Sequence, residues 1–483
     1  MAKRQVAVPA SIAALLLLFS AVAYPAYPGS PVPFLLFDLG FITMLALVLP
    51  RPHSYAYSFF ALMLFLGFWS KLMLHLVSGA NFVEPIGAFS GESVEWDRAL
   101  ATAAAMAIGV SIARAIHLAL AARSQPRTPT IPAPIPSWYL SRRKTIQIAS
   151  LLALVALSLL NFQAAFYQAG VNPRLVLPLH LNVPAGWLIS TGFALWVATL
   201  VHWEFQKTPR SLKYTLLIPV AEGLTSSTFA LSRSFYFLHT VPYFIAVGFE
   251  LAKARAALSR RTLAGIVTLW ALCFVMSLVL VSWLRINMYY LAYEPALVSV
   301  PGQKRVIAEP IHGATLANQI APTAIQISQL FVDRWVGLEG VMAVSSHPGL
   351  GFELFSAAIR ENPKKEKGGT SLYQIISNSG YETSERFTFG TLPGIGAILF
   401  YSGSLAIVVA GTVLATLLMI ATELCGKYLT GNPFLLSVAG MAMANTLCQS
   451  HFPYLTAVFF VELWIALAFI HMLQAEPWRR LRG

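Results

Sequence analysis

Charge is what this chain has least of. Only 11% of its 483 residues are Asp, Glu, Lys or Arg, against about 25% in soluble domains. With 57% hydrophobic residues and a mean hydropathy of +0.66, a soluble globular protein is excluded and an integral membrane protein is implied. Cysteine is scarce too. Cys273, Cys425 and Cys448 sit in or beside apolar runs with no CxxC spacing and no paired histidine, which argues against a disulfide framework and against a zinc site. No metal and no cofactor is expected.

What charge there is leans positive, at a net +13. Its placement speaks against nucleic acid as a partner. The basic residues gather in short gaps between apolar runs: Lys3 and Arg4; Arg51; Arg123, Arg127, Arg142, Arg143 and Lys144; Lys207, Arg210 and Lys213; Lys253, Arg255, Arg260 and Arg261; Arg479, Arg480 and Arg482. That is the signature of cytoplasmic loops.

A spanning helix needs about 20 mostly apolar residues. The runs at 8–27, 33–50, 54–78, 99–121, 146–168, 185–203, 214–232, 235–252, 263–284, 391–421, 433–449 and 454–473 predict an all-α polytopic membrane protein of about twelve transmembrane helices. With Met1 inside, every basic cluster falls on one face and both termini are cytoplasmic. The outward gaps are poorer in Lys and Arg: 81–97 is acidic, and 168–186 carries only Arg174. MAKR followed by an apolar run ending in AVA resembles a signal peptide; so many later spans favour an uncleaved first helix.

The expected organisation is N-terminal helices over 1–122, a proline-rich cytoplasmic linker over 123–145, central helices over 146–284, a large outward loop over 285–390 and C-terminal helices over 391–483. The linker, SQPRTPTIPAPIPSW at its core, should be extended. The outward loop balances nine Lys or Arg against nine Asp or Glu, which suits a folded segment with short helices. Within it, FVDRWVGLEGVMAVSSHPGLGFELF, residues 331–355, places Phe331, Trp335, Leu338, Val341 and Met342 at helical spacing. An amphipathic helix on the membrane surface, ended by HPGLG, is the expectation.

Several ionisable residues stand out against the apolar background. Arg233 lies at the outward end of the seventh span, and Glu222 lies eleven residues earlier. On one continuous helix they share a face about 16 Å apart. An ionisable group inside a membrane helix marks a pathway or a site; a pairing of Glu222 with Lys71 between helices is the plainer reading. Arg233 and Arg334, with Arg386 as a third contribution, suit a diphosphate, since the guanidinium fork binds phosphate oxygens bidentately and never loses its charge. Such cations also stabilise a departing diphosphate in the transition state. His347, Glu339 and Glu353 are candidates for a general base acting on a sugar hydroxyl. Each also has a plain reading: Arg233 as a snorkelling anchor, Arg334 paired with Asp333 or Glu339, and the others as ordinary surface groups.

An SR pair ending one span, a large outward loop with R…W followed by HPGLGFELF, and then a PGI…YSG span together resemble the membrane glycan polymerases and ligases of O-antigen and capsule assembly, the Wzy type. The resemblance runs over roughly 215–425 and leaves the first four spans out. It puts Arg233 and Arg334 in place of that family's outward arginines, and Pro348, Gly349 and Gly351 in place of its turn. It implies a GT-C-like fold and an inverting transfer of glycan between undecaprenyl-diphosphate-linked donor and acceptor, at the periplasmic face of a bacterial inner membrane. Membrane lipid and a chain-length regulator would be its other partners. Ligases of this kind carry a histidine just before the span that follows the loop; ERFTFGTLPG has none, which favours a polymerase unless His347 has taken that role.

Rival readings are a flippase or secondary transporter, although no internal repeat is evident; a cysteine transpeptidase using Cys448 and His451; and a membrane scaffold. The topology is directly testable: a C-terminal green fluorescent protein fusion should fluoresce, and alkaline phosphatase fused within the loop 285–390 should be active. The reverse pattern would invert the orientation.

Overall fold

A computed structural model describes residues 2–79, 81–82, 84–123, 135–171, 173–178, 181–208, 216–249, 259–285, 335–361, 371–379 and 392–475. Among the described residues the protein is almost wholly helical and contains no strand. Seven helices among these residues are long and apolar enough to cross a membrane.

In chain order the helices are α1 (Ala2–Ala23), α2 (Pro31–Ala46), α3 (Tyr55–Ser78), α4 (Ser93–Arg123), α5 (Ser137–Ala164), α6 (Asn182–Lys207), α7 (Leu217–Phe229), α8 (Arg233–Phe249) and α9 (Arg260–Arg285). Three short helices follow: α10 (Leu338–Ser345), α11 (Phe352–Arg360) and α12 (Leu372–Ile376). The chain then forms α13 (Gly394–Phe400), α14 (Leu405–Thr430), α15 (Pro433–Cys448) and α16 (Pro453–Gln474). Among the described residues, each of the twelve apolar runs read from the sequence is largely helical.

Helix α4 is central, packed against both α2 and α14. Its ATAAAMAIG stretch presents small residues that let neighbouring backbones come close: Gly109 lies against Thr412 and Val409 of α14, and Gly40 of α2 lies against Ala104 and Ala107. Helices α5 and α9 sit at the rim. Only 17% of the apolar window of each is enclosed, against 67% for α3 and α4.

The end of the bundle remote from the loop helices is fixed by buried charge. Glu423 of α14 caps the start of α3, accepting from Ser54 Oγ at 2.6 Å and from the N–H groups of Tyr55 and Ala56 at 2.9 Å. Beside it Arg114 spreads its fork over the carbonyls of Leu47, Pro50 and Pro52 at 3.2, 2.8 and 2.8 Å, with its carbon 5.2 Å from the centre of the Tyr57 ring. Helix-start donors have no partners within their own helix, so the carboxylate supplies what the helix cannot.

Four expectations need correction. The run 214–232 and Arg233 do not share a helix: α7 ends at Phe229, and Leu231 takes a left-handed φ of 51° before α8 begins at Arg233. The run 391–421 is two helices, α13 and α14, parted by a turn in which Gly403 has φ 70°. The proline-rich linker is shorter than 123–145, because α5 starts at Ser137 with Pro136 as its cap; residues 124–134 lie outside the described residues. Finally, the described part of 331–345 is no surface helix: residues 331–334 lie outside the described residues, the helix runs over Leu338–Ser345, and all eight of its residues are buried. The loop segment has gone into the protein, because its small side chains and glycines suit close packing more than a lipid surface.

Replacing Glu423 with Ala should strip α3 of its cap and cost about 1–2 kcal/mol, read as a lower Tm of the detergent-solubilised protein. Glu423→Gln, which keeps an acceptor, should recover part of that loss.

Candidate functional site

The end of the bundle that receives α10, α11 and α12 gathers most of the polar chemistry. Its anchor begins in α3, which widens into a π turn over Phe65–Ser70 immediately before Lys71. Such turns shift helix register and recur at functional positions. Backbone of Trp335–Gly337 lies directly on this turn, with the carbonyl of Val336 against Gly67 and Gly337 against Phe68. A side chain at Gly67 would collide with that carbonyl, so glycine there is a requirement of close approach.

Lys71 Nζ then meets Glu339 of α10, at 2.7 Å from Oε1 and 2.8 Å from Oε2, with side-chain exposures of 0% and 4%. Neither charge could be left alone at such depth. Further contacts fix the loop helices around this pair. Arg98 of α4 donates to the carbonyl of Ser345 at 3.1 Å, and the N–H of Gly87 donates to Ser377 O at 3.1 Å. Gly340 packs on the carbonyl of Pro393, and Gly394, at φ 75°, donates its N–H to Ser450 O at 3.1 Å.

His451, in the turn between α15 and α16, stands 3.0 Å from Ser371 Oγ. That hydroxyl already accepts the N–H of Gln374 in a capping box, so its hydrogen is free for His451 Nε2. Burial pushes the imidazole down to about 4, and His451 is neutral at ordinary pH.

The chain matches no protein-family model, no curated protein and no solved structure. The site therefore rests on its own geometry.

That geometry unites two of the residues singled out from sequence, Lys71 and Glu339, which had been assigned separate roles. Glu222 pairs with His239 of α8, 3.0 Å from Nδ1, rather than with Lys71. Arg233 opens α8 and is half-buried. Arg334 and Arg386 lie outside the described residues. Trp335, the residue after Arg334, packs edge-on against Phe237, four residues beyond Arg233, with ring centroids 6.3 Å apart. His347 is half-buried in the turn after α10, its N–H donating to Val344 O at 3.1 Å, and Glu353 is exposed in the first turn of α11. Among the described residues no group of three His, Cys, Asp or Glu side chains stands ready for a metal ion. Cys448 is buried and offers no accessible nucleophile.

Sequence reasoning missed Arg98 and His239. For His239 the signal was present, an ionisable side chain within an apolar helix, as it was for Glu222.

Changing Lys71 to Met alone leaves Glu339 buried without its cation and should cost about 3–5 kcal/mol, seen as a large fall in Tm and as protease cleavage within 335–361. The double change Lys71→Met with Glu339→Gln, which removes both charges, should recover most of the loss. Equal losses in the single and double variants would show that the pair does not hold the loop.

Proposed function

We propose that this protein polymerises undecaprenyl-diphosphate-linked oligosaccharide repeat units into a surface polysaccharide. It would do so as a GT-C-like glycosyltransferase of twelve spans in a bacterial inner membrane, with both termini cytoplasmic and the loop helices periplasmic. The observation that carries this reading is the docking of the loop. Trp335 rests on Phe237, and Glu339 is fastened to Lys71. Trp335, next in sequence after Arg334, and Phe237, one helical turn beyond Arg233, therefore meet at one corner of the bundle.

Two arginines at such a corner suit a lipid diphosphate. They would grip the donor and neutralise the charge that builds on the leaving group as an acceptor hydroxyl attacks the anomeric carbon from the opposite face. Cationic side chains, not a metal, would carry that charge, with Arg386 as a third. The attack needs a proton acceptor. Glu339 has both oxygens engaged by Lys71, which leaves His347 and Glu353 as the better candidates. The resemblance to membrane glycan polymerases supports the substrate class.

A ligase would use the same donor with a different acceptor. A flippase or proton-linked transporter is favoured by one observation only, the buried pair Glu222–His239.

The test is a polysaccharide gel from a deletion strain carrying wild type, Arg233→Ala or Arg334→Ala. Wild type should give a ladder, and each variant should lose it at unchanged protein level, consistent with a loss of about 10²–10³ in rate. Polymer that persists on its lipid carrier without reaching a final acceptor would identify a ligase. A normal ladder in the deletion strain would remove the glycan reading.

A further inference from the structure

The pair formed by Glu222 and His239 lies within the bundle and belongs to none of the steps above. His239 Nε2 stands 3.0 Å from the carbonyl oxygen of Ser190. Ser190 belongs to a π turn over Leu188–Gly192 of α6, and the wider turn frees carbonyls from the regular ladder. A carbonyl oxygen can only accept, so Nε2 carries a hydrogen.

Nδ1 faces Glu222 Oε1 at 3.0 Å and Oε2 at 3.3 Å. A bare ring nitrogen opposite a carboxylate is repulsive, so a hydrogen lies between them. Written as imidazolium with carboxylate or as imidazole with carboxylic acid, the pair holds one shared proton. The same two residues in water lose that proton above about pH 6.5.

Ser226 stands between the pair and a small cleft. Ser226 Oγ donates to Glu222 Oε1 at 2.7 Å and also lines a cleft between α5, α6 and α7, together with Ser158 and Asn161. The cleft has room for about one water, with polar partners to hold it. Other groups around the pair are weakly acidic or neutral. On α8 they are Tyr243, whose hydroxyl donates to Ala194 O, and Tyr236 and Thr240; α9 brings Cys273 and Ser277 near Tyr236 and Ser227; α15 brings Ser437, bonded to Pro242 O.

We propose that Glu222 and His239 form an exchangeable proton-binding site inside the membrane part of the protein, with Ser226 as its entry from the cleft. The bound proton ties Glu222 on α7 to His239 on α8, while the separate Nε2–H holds His239 to Ser190 on α6. When the shared proton leaves through Ser226, Nδ1 and the carboxylate repel, and the helix that begins with Arg233 loses its tie to α7.

The test compares the thermal unfolding of wild type and Glu222→Gln in detergent from about pH 6 to 9. The folded wild type keeps a proton that the unfolded chain gives up, so its unfolding equilibrium should move toward the unfolded state as pH rises above about 6.5, by up to about tenfold per pH unit for as long as the folded pair keeps that proton. In Glu222→Gln the amide N–H donates to Nδ1 and its oxygen still accepts from Ser226. The same contact is made without an extra proton, and that slope should vanish while low-pH stability stays close to wild type. Parallel slopes in the two proteins would overturn the proposal. If Glu222→Gln does not accumulate, the apolar double variant Glu222→Met with His239→Phe is read the same way: a slope shallower than wild type supports the site, and an equal slope overturns it.

Discussion

A lysine that must not be left alone governs this structure. Lys71 sits in the interior of a helix, enclosed on every side, and its partner Glu339 comes from a segment remote in sequence. Burial of a single charge is far more costly than burial of a matched pair, so the bundle is complete only when the loop has been drawn in. The neighbouring features follow from that demand. Backbone of the loop lies on the π turn of α3, glycines permit the approach at Gly67 and Gly340, and Arg98 closes over the end of α10. A segment that would otherwise hang from the membrane becomes part of its wall.

The opposite end obeys the same rule with different chemistry. There Glu423 supplies acceptors to a helix start and Arg114 supplies donors to a carbonyl-rich turn. Buried charge is thus spent on unpaired backbone at one end and on an inserted loop at the other. Between them the packing is of small residues on α4 against α2 and α14, where contact depends on shape and not on polarity. The reading of the loop end as a glycan polymerase site draws on the rigidity that this arrangement confers, since transfer chemistry rewards groups held in place.

Much of the fold was legible because apolar length is a strong signal. Among the described residues every apolar run is largely helical, one of them as two helices, and the turn HPGLG does follow the end of α10. Interruptions were not legible. Leu231 breaks a helix without glycine or proline at the break, and the two π turns leave no compositional trace. Of the residues at helical spacing in 331–345, Leu338, Val341 and Met342 share a helix while Trp335 precedes it, and spacing alone does not say whether a short helix faces lipid or protein. Its one charged residue within α10, Glu339, finds a partner 268 residues away, a distance across which no local pattern speaks. Glu222 was recognised as out of place while its partner was missed, because reading 214–232 and 235–252 as successive spans does not say which of their side chains meet.

The contrast between rim and centre sets how each helix can change over time. Helices α5 and α9, with most of their apolar surface outside the protein, answer chiefly to the bilayer, which accepts any Leu, Ile, Val or Phe of sufficient hydropathy. Helix α4 answers to its neighbours, and at Gly109 even a methyl group meets backbone. Lineages descended from this sequence would therefore drift quickly along the rim and hardly at all in the centre, and the rate at which a position varies would itself map which helices face lipid.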